Sequence, residues 1–151
     1  MLTNLFVYGT LLTEACPANV ARVLSRAARD RRPGTIAGRL VDLGPYPGLR
    51  PAPSSRERVH GVVYRLADPA RTLAVIDAYE GIQPASARGR SAPAANARVG
   101  QEYVRSRVQV RVAGEEGLWS AWAYLYIGPM QLAVPIVGGD YCAYLSTAPV
   151  R

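Results

Sequence analysis

The sequence lacks lysine, has only two cysteines and one histidine, and contains no long apolar run. No stretch approaches the roughly 18 apolar residues that a membrane-spanning helix needs, so we expect no membrane partner. Cys16 and Cys142 lack the close cysteine or histidine neighbours of a zinc motif; free thiols are therefore the default, although the sequence leaves a disulfide open. A Ser-His-Asp or Cys-His mechanism would have to use His60, which lies in a strand-like segment and is not expected to be catalytic.

All 18 basic residues are arginines, and with 11 acidic residues they give a formal net charge of +7. The absence of lysine and the abundance of alanine indicate a GC-rich bacterial genome more than a functional demand. Nucleic-acid binding would need a basic patch, but the arginines are scattered, and Arg29, Arg31 and Arg32 form the only tight cluster. We therefore expect a solvated arginine surface that favours encounter with small anions, and no nucleic-acid partner.

The length of 151 residues, with 49% hydrophobic and 19% charged residues, predicts one globular domain over residues 1–151. Residues 82–102 are the exception, because they are rich in Ala, Pro, Ser, Gly and Arg and cannot hold much core. Loops of this length are uncommon in compact domains, so we predict a mobile loop, either a lid over a pocket or an insertion. The N-terminal sequence has no signal-peptide features, which predicts a cytoplasmic protein.

Hydrophobic patterning and turn residues predict several strands and two helices. The predicted helices cover residues 17–28 and 70–79, the second with Asp68 as N-cap and Pro69 at the first helical position. The predicted strands cover residues 5–8, 35–43, 58–66, 103–112 and 119–127, the last two joined as a hairpin. We predict a turn at Pro33-Gly34 and a loop over the proline-rich residues 45–53. Without regular βαβ alternation, these elements predict an α+β fold.

An apolar segment near the N-terminus ends abruptly at small residues. Residues 6–12 read FVYGTLL, a pattern typical of a buried strand that enters a tight loop. Gly9 has no Cβ, so its backbone can approach a ligand closely. If the amides of Gly9, Thr10 and Leu11 point in the same direction, they form a concavity for a carboxylate or an oxyanion. The alternative interpretation is an ordinary turn after a strand.

A second motif, IDAYEG, covers residues 76–81 at the end of the second predicted helix. Gly81 is placed as a helix cap, and a helix C-terminus is electrostatically unfavourable for the negative charge of Glu80. An apolar pocket beside Glu80 would raise the pKa of its carboxylate toward neutrality, which suits a general base. The alternative is a solvated carboxylate at a helix end. Asp77, one turn earlier, is the nearby competitor for the role of base.

Taken together, the two motifs resemble the γ-glutamylcyclotransferase-like superfamily, small cytosolic enzymes that release 5-oxoproline from γ-glutamyl amines or γ-glutamyl amino acids. Further segments match in the same order along the chain, namely residues 45–49, 61–64, 103–105, 123–124 and 139–141. The resemblance implies a small, mostly antiparallel β-barrel with flanking helices. Residues 82–102 depart from it, because the family is usually shorter there.

The resemblance implies roles for particular residues. It aligns Glu80, not Asp77, with the family's general base, so Asp77 is interpreted as structural. It implies that Tyr8 lines the pocket and that Tyr103 hydrogen-bonds near the base. The implied substrate-binding set is Tyr8, Gly9, Thr10, Leu11, Tyr103 and Tyr124. For the tyrosines, and for Tyr46 beside them, packing is the alternative interpretation.

The implied reaction is intramolecular, because the α-amine of the γ-glutamyl group attacks its own γ-carbonyl carbon and expels the attached amine. We therefore expect neither a protein nucleophile nor a metal or cofactor. The expected partner is a small γ-glutamyl substrate, and the expected assembly is a monomer or small homo-oligomer. The competing hypothesis is a noncatalytic small-ligand-binding barrel on the same scaffold.

Overall fold

The computed structural model describes residues 2–12, 16–44, 46–52, 54–81 and 103–147. The predicted loop at 82–102 lies outside these ranges. The strands within them are β1 (Asn4–Val7), β2 (Ala28–Asp42), β3 (Pro47–Pro51), β4 (Arg58–Leu66), β5 (Tyr103–Val112), β6 (Leu118–Tyr126) and β7 (Val134–Pro135). The helices are α1 (Ala18–Ala27), α2 (Pro69–Tyr79) and α3 (Tyr141–Thr147), with a 3-10 turn at Thr10–Leu12. No helix in the described part of the chain is long and apolar enough to cross a membrane.

Five of these strands close into a barrel in the order β2-β4-β1-β6-β5, and β5 pairs with β2 to complete it. The pairings β2–β4, β4–β1, β6–β5 and β5–β2 are antiparallel, whereas β1 and β6 run parallel. β3 and β7 pair with β2 outside the barrel. The predicted α+β fold, a mostly antiparallel barrel with flanking helices, is therefore confirmed.

Two hydrophobic clusters hold the barrel and the helices together. The first contains Phe6, Ile36, Val59, Val63 and Val110 of the barrel strands together with Leu49 of β3, all nearly inaccessible to solvent. A second cluster joins the barrel to α1 and α2 and contains Leu5, Val20, Leu24, Leu73 and Ile76. Burial of one such side chain is worth about 1.5–3 kcal/mol, so the second cluster fixes α2 firmly on the barrel wall. The C-terminal end of α2 therefore has a defined position relative to the barrel.

The signals for most elements are local, and the corresponding predictions are confirmed. Helix α2 begins where predicted, because the Asp68 carboxylate accepts a 3.3 Å hydrogen bond from the Arg71 amide and Pro69 occupies the first turn. Strand β4 has the predicted bounds, and α1 lies within the predicted range of residues 17–28. Strands β5 and β6 form the predicted hairpin.

The predicted turn at Pro33-Gly34 is wrong, because both residues lie inside the long strand β2. Gly34 is instead the position where β2 pairs with both β4 and β5 and so closes the barrel. A Cβ on Gly34 would lie 2.8 Å from Cγ1 of Val110, so glycine permits this close approach. The glycine therefore indicates a tight contact across the barrel, not a reversal of the chain.

The proline-rich stretch 45–53 is not the loop that the sequence predicts, because it contains strand β3. Among the described residues, this edge strand pairs with β2 alone. Its prolines lie at its two ends, where a missing N–H costs no ladder hydrogen bond. Helix α3 was also not predicted. Its start is marked by Asp140, whose carboxylate accepts a 3.0 Å hydrogen bond from the Ala143 amide.

Candidate active site

A cavity of about 210 Å³ lies at the end of the barrel where β1 stops. The seven residues that the sequence predicts for the site all line it, namely Glu80, Tyr8, Gly9, Thr10, Leu11, Tyr103 and Tyr124. The remaining lining residues are Phe6, Val7, Tyr46, Pro47 and Tyr79. The structure thus brings together residues from both motifs and from β5 and β6. Six of the twelve described lining residues are aromatic, and Glu80 is the only carboxylate among them.

The first motif forms a tight turn that is part of the cavity wall. The Leu12 amide donates a 2.9 Å hydrogen bond to the Gly9 carbonyl, which closes the single 3-10 turn. A Cβ on Gly9 would lie 2.7 Å from Cγ of Pro47, so a larger residue would push the turn away from β3. Glycine is therefore needed here for close packing between the turn and Pro47.

Glu80 is the capping residue at the C-terminal end of α2. Its amide donates a 2.9 Å hydrogen bond to the Ile76 carbonyl, and Gly81 follows with φ of +76°, a conformation that favours glycine. Burial and, secondarily, the nearby negative charge of Asp77 raise the pKa of Glu80 to about 7. At neutral pH the carboxyl group of Glu80 is thus poised both to accept and to donate a proton.

Two tyrosines of the wall are held by hydrogen bonds from their hydroxyl groups. The Tyr8 hydroxyl donates to the Tyr124 carbonyl at 2.6 Å, and the Tyr103 hydroxyl donates to the Pro47 carbonyl at 2.6 Å. Burial raises the pKa of Tyr8 and of Tyr103, so both phenols remain neutral donors. The bonds fix both rings in the wall. The Tyr103 hydroxyl, which the resemblance implies bonds near the base, thus donates to Pro47, and among the described residues no hydrogen bond from it to Glu80 is present.

The carboxylate of Asp77 is engaged outside the cavity lining. It accepts hydrogen bonds from Arg105, Nε to Oδ1 at 2.9 Å and Nη2 to Oδ2 at 3.1 Å, and from the Tyr124 hydroxyl at 2.6 Å. This arrangement agrees with the structural interpretation of Asp77. It also leaves Glu80 as the carboxylate that faces the cavity.

Comparison with known proteins places the chain in a family. Residues 5–143 match the model of the family described as Gamma-glutamyl cyclotransferase, AIG2-like. The chain belongs to this family. No curated protein is similar enough to this AIG2-like chain to count as a match.

Several solved structures resemble this AIG2-like protein in fold. YkqA from Bacillus subtilis is 21% identical with a TM-score of 0.63, and the match covers 99% of this chain and 45% of that one. An AIG2-like protein from Mus musculus is 22% identical with a TM-score of 0.61, covering 91% and 86% of the two chains. Protein ytfP from Escherichia coli is 30% identical with a TM-score of 0.54, covering 91% and 95%. This chain therefore spans less than half the length of the Bacillus protein.

Other reactive side chains of the AIG2-like chain lie away from the cavity. His60 is exposed on β4 and lines a second, wider cavity of about 570 Å³ together with Cys142, and Tyr8 lines both cavities. Cys16 and Cys142 are free thiols, and burial raises the pKa of Cys16. Among the described residues, no group of three or more His, Cys, Asp or Glu is arranged to hold a metal ion. Among the described residues that line the wider cavity, the carboxylate is Asp140, which accepts the hydrogen bond at the start of α3, so the candidate site remains the cavity around Glu80.

Tyr79 lines this family member's cavity but is not among the site residues that the sequence predicts. It has a local signal, because it belongs to the IDAYEG motif, but helix periodicity only indicates one face of α2 or its margin. Pro47 of β3 also lines the cavity. The resemblance matches residues 45–49 to a loop beside the family's pocket, and the packing of β3 against Gly9 brings Pro47 there.

Proposed function

We propose that this protein is a γ-glutamyl cyclotransferase that releases 5-oxoproline from a γ-glutamyl amine or γ-glutamyl amino acid, with Glu80 as the general base. The observation that carries the proposal is the position of Glu80, a carboxylate with a pKa of about 7 in an aromatic cavity. The cavity also contains the Gly9–Leu11 turn. Membership of the Gamma-glutamyl cyclotransferase, AIG2-like family supports the same class of reaction.

The reaction needs one base that returns the proton it takes. Glu80 accepts a proton from the α-ammonium group of the substrate, and the freed amine attacks the γ-carbonyl carbon. A carbon–nitrogen bond forms in the five-membered ring, the bond to the departing nitrogen breaks, and Glu80 delivers the proton to that nitrogen. The ring nitrogen passes its second proton to the released amine, which leaves as an ammonium ion, and Glu80 is again ionised. No water is consumed. The α-amino group of a peptide chain has a pKa of about 8, and the free α-carboxylate of a γ-glutamyl group raises this value, so transfer to a base of pKa about 7 costs at least about 1.4 kcal/mol.

The rest of the cavity supplies position and charge stabilisation. Correct orientation of an intramolecular reaction can contribute about 7–11 kcal/mol, and a placed base contributes about 100- to 10,000-fold in rate. We assign the backbone amides of Gly9, Thr10 and Leu11 to the substrate's α-carboxylate or to the developing oxyanion. The hydrogen-bonded rings of Tyr8 and Tyr103 form a wall that holds the glutamyl group in a curled conformation.

The test is the release of 5-oxoproline from a panel of γ-glutamyl amines and γ-glutamyl dipeptides. We expect release by the wild-type protein and a loss of at least about 100-fold in Glu80→Gln. A matched control is Glu57→Gln, which changes an exposed glutamate paired with Arg39 and should retain full activity. Equal activity of Glu80→Gln and wild type would remove Glu80 as the base. If no member reacts but one raises the thermal stability of both proteins, the noncatalytic binding barrel is the better interpretation.

A further inference from the structure

The last turn of α2 carries two carboxylates that lie in different surroundings. Glu80 lines the cavity, whereas Asp77 accepts three hydrogen bonds from side chains of β5 and β6. The side chains of Arg105 and Asp77 are only 13% and 14% exposed, so solvent screens this ion pair weakly. A surface pair such as Arg39–Glu57, with about half of each side chain exposed, has no comparable constraint.

We propose that Asp77, held by Arg105 and Tyr124, is a positioning residue that fixes the carboxylate of Glu80 in the cavity and sets its charge state. The catalytic meaning of this proposal rests on the proposed function. The effect of Asp77 on the pKa of Glu80 does not depend on the proposed function, because this titration can be measured without substrate.

The contacts that hold Asp77 explain the positioning. Arg105 and Tyr124 are paired directly across β5 and β6, and the Arg105 guanidinium lies 4.5 Å from the ring centroid of Trp122. The ring and the two-pronged hydrogen bond to Asp77 fix the guanidinium plane. Residues three apart on a helix lie on the same face. Anchoring Asp77 to the two strands therefore fixes the end of α2 against β5 and β6, and with it the point from which the Glu80 side chain enters the cavity.

The charges around Glu80 explain the second part of the proposal. The titratable groups that interact with it are Asp77 and Tyr79 on α2, Tyr8 after β1, Tyr103 on β5 and Tyr124 on β6. Burial raises the pKa of each of these tyrosines, so they are neutral near pH 7. Asp77 is the charged member of this set, and Arg105 offsets part of its charge. Changes at Asp77 and at Arg105 should therefore move the titration of Glu80 in opposite directions.

The experiment is a pH titration of side-chain carboxyl groups by NMR in protein labelled with ¹³C-glutamate, with Glu80→Gln used to assign the Glu80 signal. We expect a midpoint of about 7 in the wild type and a fall of about 0.5–1 pH unit in Asp77→Asn, because a like charge is removed. We expect a rise in Arg105→Met, because the positive charge that offsets the Asp77 carboxylate is removed. Arg39→Met, which breaks the exposed pair, should leave the midpoint unchanged.

Opposite shifts in the two variants support the proposal, and unchanged midpoints in both overturn it. If Asp77→Asn does not fold, the direction of the shift in Arg105→Met decides alone. Positioning is then read from kcat at pH 7, divided by the ionised fraction of Glu80 that the NMR titration gives for each variant; we expect a fall of about tenfold or more in Arg105→Met with a smaller change in KM. Shifted midpoints without 5-oxoproline release would refute the proposed function and leave the effect of Asp77 on Glu80 standing.

Discussion

The hydroxyl group of Tyr8 donates a 2.6 Å hydrogen bond to the backbone carbonyl oxygen of Tyr124, 116 residues later in the chain. Tyr8 follows β1 and Tyr124 belongs to β6, the two strands that run parallel in the barrel. Both residues line the cavity around Glu80. The bond therefore joins two distant parts of the chain in the wall of the candidate active site.

Replacement of Tyr8 by Phe should destabilise the protein by about 1–2 kcal/mol, because the substitution removes a hydrogen bond from a buried carbonyl group. The free energy of unfolding in urea at pH 7 measures this effect. Tyr64→Phe is the matched control, since Tyr64 is a buried tyrosine of β4 for whose hydroxyl the described residues show no hydrogen bond. Equal losses in the two variants would show that the Tyr8 hydroxyl has no special role.

Replacement of Glu80 by Gln should change stability in a pH-dependent way. The pKa of Glu80 is about 7 in the folded protein, against an ordinary value of 4.5. Between these values the unfolded chain releases the proton and the folded protein keeps it, so wild-type stability falls as pH rises from about 4.5 to about 7. The full shift corresponds to about 3 kcal/mol, and partial exposure of the side chain lowers the expected effect to about 1–3 kcal/mol.

The glutamine side chain has no charge to lose, so Glu80→Gln should match the wild type near pH 4 and exceed its stability at pH 8. Urea denaturation at the two pH values measures the difference. Glu57→Gln, at an exposed ion pair, should stay within about 0.5 kcal/mol of the wild type at both. A Glu80→Gln variant that is less stable than the wild type at pH 8 would contradict a buried, raised-pKa carboxylate.

The parts of the site that the sequence predicts are those with local signals. Helix α2 has its cap at Asp68, its first-turn proline and its terminal Gly81, so the place of Glu80 at the helix end follows from a short segment. Gly9 likewise marks the end of β1. These signals involve neighbours in sequence, and sequence reasoning could therefore find both motifs.

The parts that the sequence does not predict depend on contacts across the barrel. The sequence around Gly34 is typical of a turn, and only the structure shows that Val110 and Arg111 of β5 pack closely against this glycine. The ion pair between Asp77 and Arg105 joins residues 28 apart, and each residue is unremarkable in its own segment. The resemblance matches residues 45–49 to a loop beside the family's pocket, but it does not predict strand β3, which pairs with β2 and packs Pro47 on Gly9. Such contacts arise from the closed sheet and leave no periodic pattern in the chain.

Replacement of Gly9 by Ala should displace the turn that lines the cavity. The added Cβ would lie 2.7 Å from Cγ of Pro47 and 3.4 Å from its Cδ, so the turn or β3 must move. Overpacking of this kind costs about 1–3 kcal/mol. Thermal unfolding should show the loss of stability, and KM for the best γ-glutamyl substrate should rise because the amides after Gly9 shift.

The control for this prediction is a double-mutant cycle with Pro47→Ala. That substitution removes both proline atoms that the new methyl group would meet, so the double variant should recover part of the loss. Strict additivity of the two single effects would show that Gly9 and Pro47 do not compete for the same space. The cycle thus separates the clash from a general effect of adding a side chain to the turn.

The pH dependence of the proposed reaction tests the role of Glu80 most directly. A base must be ionised to accept a proton, so kcat/KM of the wild type should rise with pH and level off above a midpoint of about 7. The substrate's α-ammonium group loses its own proton above about pH 8. Above that pH the base becomes less necessary, and the activity ratio of wild type to Glu80→Gln should fall. Asp77→Asn should move the wild-type midpoint to lower pH, whereas a profile unchanged by either substitution would assign the titration to the substrate alone.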